Sequence, residues 1–346
     1  MRSGFFTRLV IGAALLLPQL SPAQDFHLSQ YDAAPLHLNP AMTGLFSGLY
    51  RIHAHYRTQW AQVASKPFQT FQASYDMPLK KFSVGGQLMD YKAGAGSYNV
   101  FSFLGSIAYD FSVDDADHHH FSFGAQAGFM QKSINFSKLV FENQYTYSNG
   151  GGFDNTLPTG ENFPSSGIFL PALNAGLVYY YSRENYFINP FVGFSAFNLT
   201  HPRENFYGNS DRLPIRYLAH AGAKVNISET IQLQPKVFKM FQTNDRELTF
   251  SLMCHYYLKQ SDAYLILGPT FRMSGIMGKK KVYDVEDDAL IVEAGLKYRQ
   301  YIWRISYDLN MSSLNPYTNG RGGLEISVTY TGKRPRPEMI DNCPRL

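Results

Sequence analysis

Four stretches of the chain carry side chains in patterns that chemistry could use. In the first, Arg51, His53, His55 and Arg57 alternate with Tyr50, Ile52, Ala54, Tyr56 and Thr58. On an extended strand, successive side chains leave opposite faces, so the two Arg and two His share one side. That side is either a selectivity or binding surface, or a polar wall neutralised by acids elsewhere, and the expectation is the second. Glu293, Lys297, Arg299, Arg304, Asp308 and Glu325 are the partners at hand further along the chain. In the second stretch, His118, His119 and His120 follow Asp114, Asp115 and Asp117, which invites a metal. Three adjacent strand residues cannot all face one ion, so a solvated turn is expected instead. The third is Lys279-Lys280-Lys281 before Asp284, Glu286, Asp287 and Asp288; contact with anionic lipopolysaccharide and a self-neutralising loop stand equally open. The fourth is a terminal run of Lys333, Arg334 and Arg336 interleaved with proline, ending Cys343-Pro344-Arg345-Leu346. For catalysis, no G-x-S-x-G elbow and no H-E-x-x-H helix occurs, and the ten His are scattered. No catalytic residue, cofactor or metal is therefore expected; an outer-membrane hydrolase assembled only in three dimensions is the minor alternative.

The elements that would position these residues are strands. Charged residues make up 17% of the chain and aromatics 15%, with 27 Phe, 24 Tyr and 2 Trp among 346 residues. Soluble domains carry about 25% charge. Disordered chains lack this aromatic content. Past residue 23 there is no apolar run of the ~20 residues a membrane helix needs. Period-2 alternation recurs instead, over fourteen ranges: 48–60, 67–78, 82–92, 97–112, 118–132, 171–182, 186–200, 215–227, 230–242, 247–259, 263–273, 288–299, 301–312 and 322–331. Most are longer than the ~5–6 residues of soluble strands and match the ~9–11 of a tilted membrane strand. Connections of nine or more residues all fall after odd-numbered strands, while those after even-numbered strands are short. A sandwich has no reason to sort its loops this way; an outer-membrane barrel has short periplasmic turns and long outer loops. The fold class is therefore all-β, a transmembrane antiparallel β-barrel of about 14 strands, with both termini periplasmic.

Residues 1–23 read as a signal peptide: Arg2 and Arg8, an apolar run from Leu9 to Leu17, and Ser21-Pro22-Ala23 before Gln24. Loss of two Arg lowers a formal charge of +4 by two, too little to suggest nucleic acid. Residues 24–47 precede the barrel (48–331) as a plug or a periplasmic epitope, and 332–346 follow it as a periplasmic tail. Fourteen strands enclose more space than wall side chains fill, since about eight strands suffice for that. Cys254 and Cys343 are expected as free thiols, too few for a disulfide framework.

Several segments resemble the PorP/SprF family of outer-membrane proteins from type IX secretion and gliding motility. They are Phe26 with Ser29-Gln30-Tyr31, Asn39-Pro40-Ala41 with Gly44, and Tyr56-Arg57-Thr58-Gln59-Trp60. Further along come Gln69-Thr70-Phe71, Ser306-Tyr307-Asp308 and the Gly323–Val328 run. The order and spacing match over nearly the whole mature chain. Two departures are His27-Leu28, inserted after Phe26, and Leu346 where the family ends in Phe. The resemblance implies a non-enzymatic barrel that works with other type IX components (periplasmic lipoprotein or ring proteins) and with secreted, adhesin-like cargo. Lys333, Arg334, Arg336, Cys343, Pro344 and Arg345 are the docking candidates. The other reading is a passive or hydrophobic-substrate channel.

Overall fold

The computed structural model describes residues 27–60, 66–94, 96–147, 151–161, 165–184, 186–206, 211–276, 286–312 and 315–333. The strands are β1 Arg51–Gln59, β2 Phe68–Leu79, β3 Phe82–Ala93, β4 Tyr98–Ser112, β5 His119–Ser133, β6 Tyr145–Thr146, β7 Gly152–Phe153, β8 Gly167–Tyr181, β9 Ile188–Phe197, β10 Arg216–Asn226, β11 Ile231–Gln242, β12 Asp245–Leu258, β13 Ala263–Ile276, β14 Glu286–Tyr298, β15 Tyr301–Asn310 and β16 Arg321–Thr331. All except β6 and β7 form one closed antiparallel barrel of fourteen strands, in which β1 closes against β16 from Arg51↔Thr331 to Gln59↔Gly323. Closure pairs every strand on both sides, which is what a backbone in lipid requires. Residues 1–23, expected as a signal peptide, Lys279–Lys281 with Asp284, and the tail beyond Lys333 lie outside the described residues.

Alternation assigns the faces. Ile52 and Tyr56 are 46% and 41% exposed on the outside, whereas His53, His55 and Arg57 are 0–2% exposed within. Outside, aromatic rings gather near the rims. Near the short-turn end, Tyr301 stacks on Trp303 and meets Tyr330, and Phe111 meets Tyr109 and Phe121. Towards the other end, Phe103, Phe129 and Phe169 form a second group. Two such belts are what strands crossing both bilayer interfaces present.

Three details differ from the alternation pattern. β8 begins at Gly167 rather than 171, because Pro171 does not end the strand. It pairs with Phe129 on one side, while β9 pairs with β8 only from Ala175 onward, so the missing N–H costs no ladder bond. Elsewhere proline does interrupt pairing. The β10–β11 ladder jumps from Gly222↔Lys236 to Val225↔Leu233 beside Pro235, and the β12–β13 ladder jumps from Ser251↔Thr270 to Cys254↔Leu267 beside Pro269. Finally, the long connection between β5 and β8 is not featureless: it holds two 3-10 turns and the β6–β7 hairpin. A four-residue helix, Asn315–Thr318, sits in the β15–β16 connection. Such short elements leave no periodic trace in sequence.

Candidate functional site: the lumen and its N-terminal plug

Residues 27–46 occupy the barrel interior. The segment descends from the long-loop end, where His27 lies 3.8 Å from Glu247, to the short-turn rim, where Leu49 N–H donates to Gly332 O at 2.9 Å. Two prolines and short turns shape it: 3-10 turns at Tyr31–Ala33 and Pro40–Met42 flank one helical turn, Pro35–Leu38. Proline at the first position suits such turns, since its φ is already set and that N–H has no partner to lose. Twelve side chains, among them Leu38, Ala41, Met42 and Leu45 from the segment and Val178, Phe191, Phe197 and Leu218 from the wall, make one apolar cluster.

The upper part is held by charge. Glu325 accepts the backbone N–H groups of Ser29 (2.5 Å) and Gln30 (2.9 Å), and also pairs with Arg57 and with His55 Nε2 at 2.9 Å. Ser29 Oγ donates to Asp308 at 2.7 Å and accepts from Arg57 and Arg272. Both guanidinium groups also reach Asp308, at 3.0 and 3.1 Å. Gln59 Oε1 accepts from Arg57 Nη2 at 2.9 Å and so fixes the arginine's plane. The Gln30 amide bridges two strands, donating to Ser306 Oγ at 3.0 Å and accepting from Ser327 Oγ at 2.6 Å. Tyr31 stacks on Phe238 with ring centroids 4.9 Å apart. Asp32 meets Lys236 and Arg304, and Arg304 in turn meets Glu293.

The lower part is held by backbone recognition. Asn39 caps the Pro40–Met42 turn by accepting Ala41 N–H at 2.9 Å. Its amide nitrogen donates to Leu177 O at 3.1 Å and Phe194 O at 3.2 Å. Asn39 and Pro40 come this close because β5, β8 and β9 present Gly124, Gly176 and Gly193: a Cβ on the first two would strike Pro40, Ala41 or Asn39. Ser122, Gln126 and Ser195 donate to the carbonyls of Ala41, Leu36 and Leu38 at 2.7–2.9 Å. Gly44 has φ +74° and donates to Asp76 at 2.7 Å. Asp76 also binds Arg51 Nη2 at 2.6 Å, and the Arg51 guanidinium lies over the Phe46 ring.

The residues expected on one lumenal face, Arg51, His53, His55 and Arg57, do share it. Arg51, His55 and Arg57 meet carboxylates, and His53 Nδ1 sits 2.9 Å from Thr329 Oγ1. Among the proposed partners, Glu293, Arg304, Asp308 and Glu325 are buried in the lumen; Lys297 lines its short-turn end, and Arg299 lies in the β14–β15 turn over Tyr298. Trp60, with φ +59°, directly follows β1 and packs against Phe68. Sequence reasoning did not single out Asp32, Asp76, Lys236 or Arg272. Nor did it single out the three mid-strand glycines, although glycine inside a strand is itself a sign of close backbone approach.

The three consecutive histidines diverge. His118 and His119 lie at the surface, while His120 stacks on Tyr180 at 4.6 Å. The N–H groups of His119 and His118 hold the Asp114 carboxyl in this turn below the usual carboxylate range. Among the described residues, no group of three or more His, Cys, Asp or Glu is placed to hold a metal. Cys254 is a free thiol. Lys333 is exposed at the short-turn rim, and Arg334, Arg336, Cys343, Pro344 and Arg345 fall outside the described residues.

The sequence model of the type IX secretion system membrane protein PorP/SprF matches residues 20–330, from the plug through the closing strand. The chain belongs to the PorP/SprF family. No match to a curated protein was found. Solved barrels share the fold at low identity. The CymD monoaromatic hydrocarbon channel is 13% identical (TM-score 0.51, covering 88% of this chain and 94% of that one). The toluene transporter TodX of P. putida is 10% identical (TM-score 0.51, covering 87% and 94%). At these identities the likeness is one of fold, and it fits an outer-membrane barrel. The motif residues of this PorP/SprF chain thus have physical roles: Ser29, Gln30, Tyr31, Asn39, Pro40 and Gly44 are plug contacts, while Arg57 is a wall group that meets Ser29 and Gln59 orients that arginine.

Proposed function

We propose that this PorP/SprF protein is a plugged, non-enzymatic component of type IX secretion. It docks periplasmic machine parts and supports export or surface display of cargo such as adhesins, with the start of β1 and the end of β16 facing the periplasm. The observation that carries this reading is the lumen. Buried ion pairs, apolar contacts and hydrogen bonds to plug carbonyls bind residues 27–46 to most of the wall, which argues for a scaffold rather than an open pore. Family membership supplies the secretion system. The even strand count puts β1 and β16 at one rim with the short turns, the end that outer-membrane barrels keep in the periplasm. The tail follows Lys333 at that rim, and a proline-rich segment has little order to lose on binding.

The test has two arms. In planar bilayers the full chain is expected to show no large steady conductance. In cells of the source bacterium, removing residues 333–346 is expected to lower co-purification of periplasmic type IX components and to impair secretion; unchanged recovery and secretion overturn the docking role. The channel reading has one observation in its favour. An apolar groove of about 520 Å3 faces lipid between Ala221, Val237, Phe250 and Phe271, where the ladders lapse beside Pro235 and Pro269. Steady conductance or hydrocarbon uptake by the intact chain decides for it.

A further inference from the structure

Pro235 on β11 and Pro269 on β13 stand at one level of the wall. Pro235 pairs with Leu252 of β12, and Pro269 lies alongside the same Leu252, one step beyond Ser251↔Thr270. Proline has no N–H to give a neighbouring strand, and the β10–β11 and β12–β13 ladders lapse there. To this stretch β10 contributes only small side chains, Ala221, Gly222 and Ala223, near the rings of Phe250 and Phe271. The result is the lipid-facing groove of about 520 Å3. Two of its lining residues are polar, Lys236 and Ser251, and both turn into the lumen: Lys236 meets Asp32, and Ser251 Oγ lies 2.7 Å from Thr270 Oγ1. What the groove presents to the membrane is therefore an apolar surface.

The same outward face carries charge of one sign. β11 runs towards the loop end, where Gln242 pairs with Asp245 across the hairpin. Lys239 is exposed on the outside, with its Nζ 4.9 Å from the centroid of the Phe241 ring. It stands two residues beyond Val237 at the loop-end edge of the groove, about 7 Å along the strand. Arg246 is on the same face, opposite Phe241. β10, β11 and β13 contain no Asp or Glu, and the two in β12, Asp245 and Glu247, are buried in the lumen. A lysine facing lipid is costly at mid-bilayer and costs little near the interface. Lys239 therefore marks headgroup depth, and the groove lies below it among the chains. A cation above an apolar groove is complementary to an anionic lipid, headgroup and tail alike.

We propose that this face is a binding site for lipid A of the cell-surface leaflet, with a phosphate at Lys239 and one acyl chain in the groove, packed on Ala221, Val237 and Phe250. The assignment rests on the reading of the long-loop end as the cell-surface end, since that leaflet holds lipid A and the periplasmic leaflet holds glycerophospholipid. It gives the groove a resident rather than a solute in transit: a chain seated there covers the level at which the ladders lapse.

The experiment is native mass spectrometry of the full chain extracted from its own outer membrane in mild detergent, with the bound lipid identified after release. The parent is expected to carry one lipid A. Lys239→Ala, which removes the charge, and Ala221→Phe, which fills the groove, are each expected to lower the bound fraction at least fivefold. Val192→Ala, on the lipid-facing side of β9 and outside the groove, is expected to leave it unchanged. Retained heat-dependent mobility on denaturing gels shows that the variant barrels are folded, and Lys239→Ala decides alone if the bulkier variant does not fold. Glycerophospholipid on the parent, lost on the same substitutions, overturns the lipid A assignment together with the orientation behind it. No retained lipid, a dimer mass in its place, or lipid A held equally by parent and variants overturns the site alone.

Discussion

Glu325 joins more of this molecule than any motif pattern suggests. One carboxylate serves two plug N–H groups, an arginine and a histidine, all out of water. Removing one member of a buried charge cluster leaves the others unpaired, at a cost of about 3–5 kcal/mol. Glu325→Ala is therefore expected to lower the unfolding free energy of the barrel, read from urea titration, by that margin, while a surface change such as Lys259→Ala, whose pair with Glu229 is exposed, leaves it within about 0.5 kcal/mol. Gly176 makes a second residue-scale case. A side chain there meets Asn39, so Gly176→Val is expected to loosen the plug, read as channel openings in planar bilayers that the parent chain lacks. Were the parent and variant to behave alike, Asn39 would not be seated as described.

At the scale of elements, plug and wall divide the work. The wall needs only alternation and closure, which is why each of the fourteen barrel strands was legible from a period of two, with ends displaced by a few residues. The plug has no period. Its prolines and turn formers announced something other than a strand, yet whether it lay inside the barrel or below it was open from sequence. Deleting residues 24–47 removes the plug's contacts but no strand, so the barrel is expected to assemble and to conduct steadily in planar bilayers. Failure of that variant to conduct would mean that other segments close the lumen. The β6–β7 hairpin belongs to the same scale. Tyr147 beside it is 88% exposed on the long connection, so Tyr147→Cys is expected to react with an impermeant maleimide on intact cells, and Lys333→Cys only after the outer membrane is breached. The reverse labelling would invert the proposed orientation.

For the whole molecule, direction of travel matters. From His27, near the loop end of the lumen, the chain runs down inside the barrel before β1 begins. Cleavage after Ala23 makes Gln24 the first residue of the mature chain. Intact-mass measurement of the purified protein is expected to show loss of residues 1–23; a longer or shorter mature chain overturns that cleavage site.

The amino-acid sequence alone determined the class, the strand count, the parity of the loops and the family. All of these rest on local periodicity and on short motifs in a fixed order. It also placed Arg51, His53, His55 and Arg57 on one face, because strand geometry leaves no choice. Only the tertiary structure decided what that face meets. Ser29 is separated from Asp308, and Asp32 from Lys236 and Arg304, by two hundred residues or more. No spacing rule links residues that closure of the barrel brings together. The niche formed by Gly124, Gly176 and Gly193 depends on the mutual register of three strands, and the lipid-facing groove on the register that sets Pro235 and Pro269 at one level. Those are properties of packing, which pairs distant residues by shape and charge and leaves little mark along the chain.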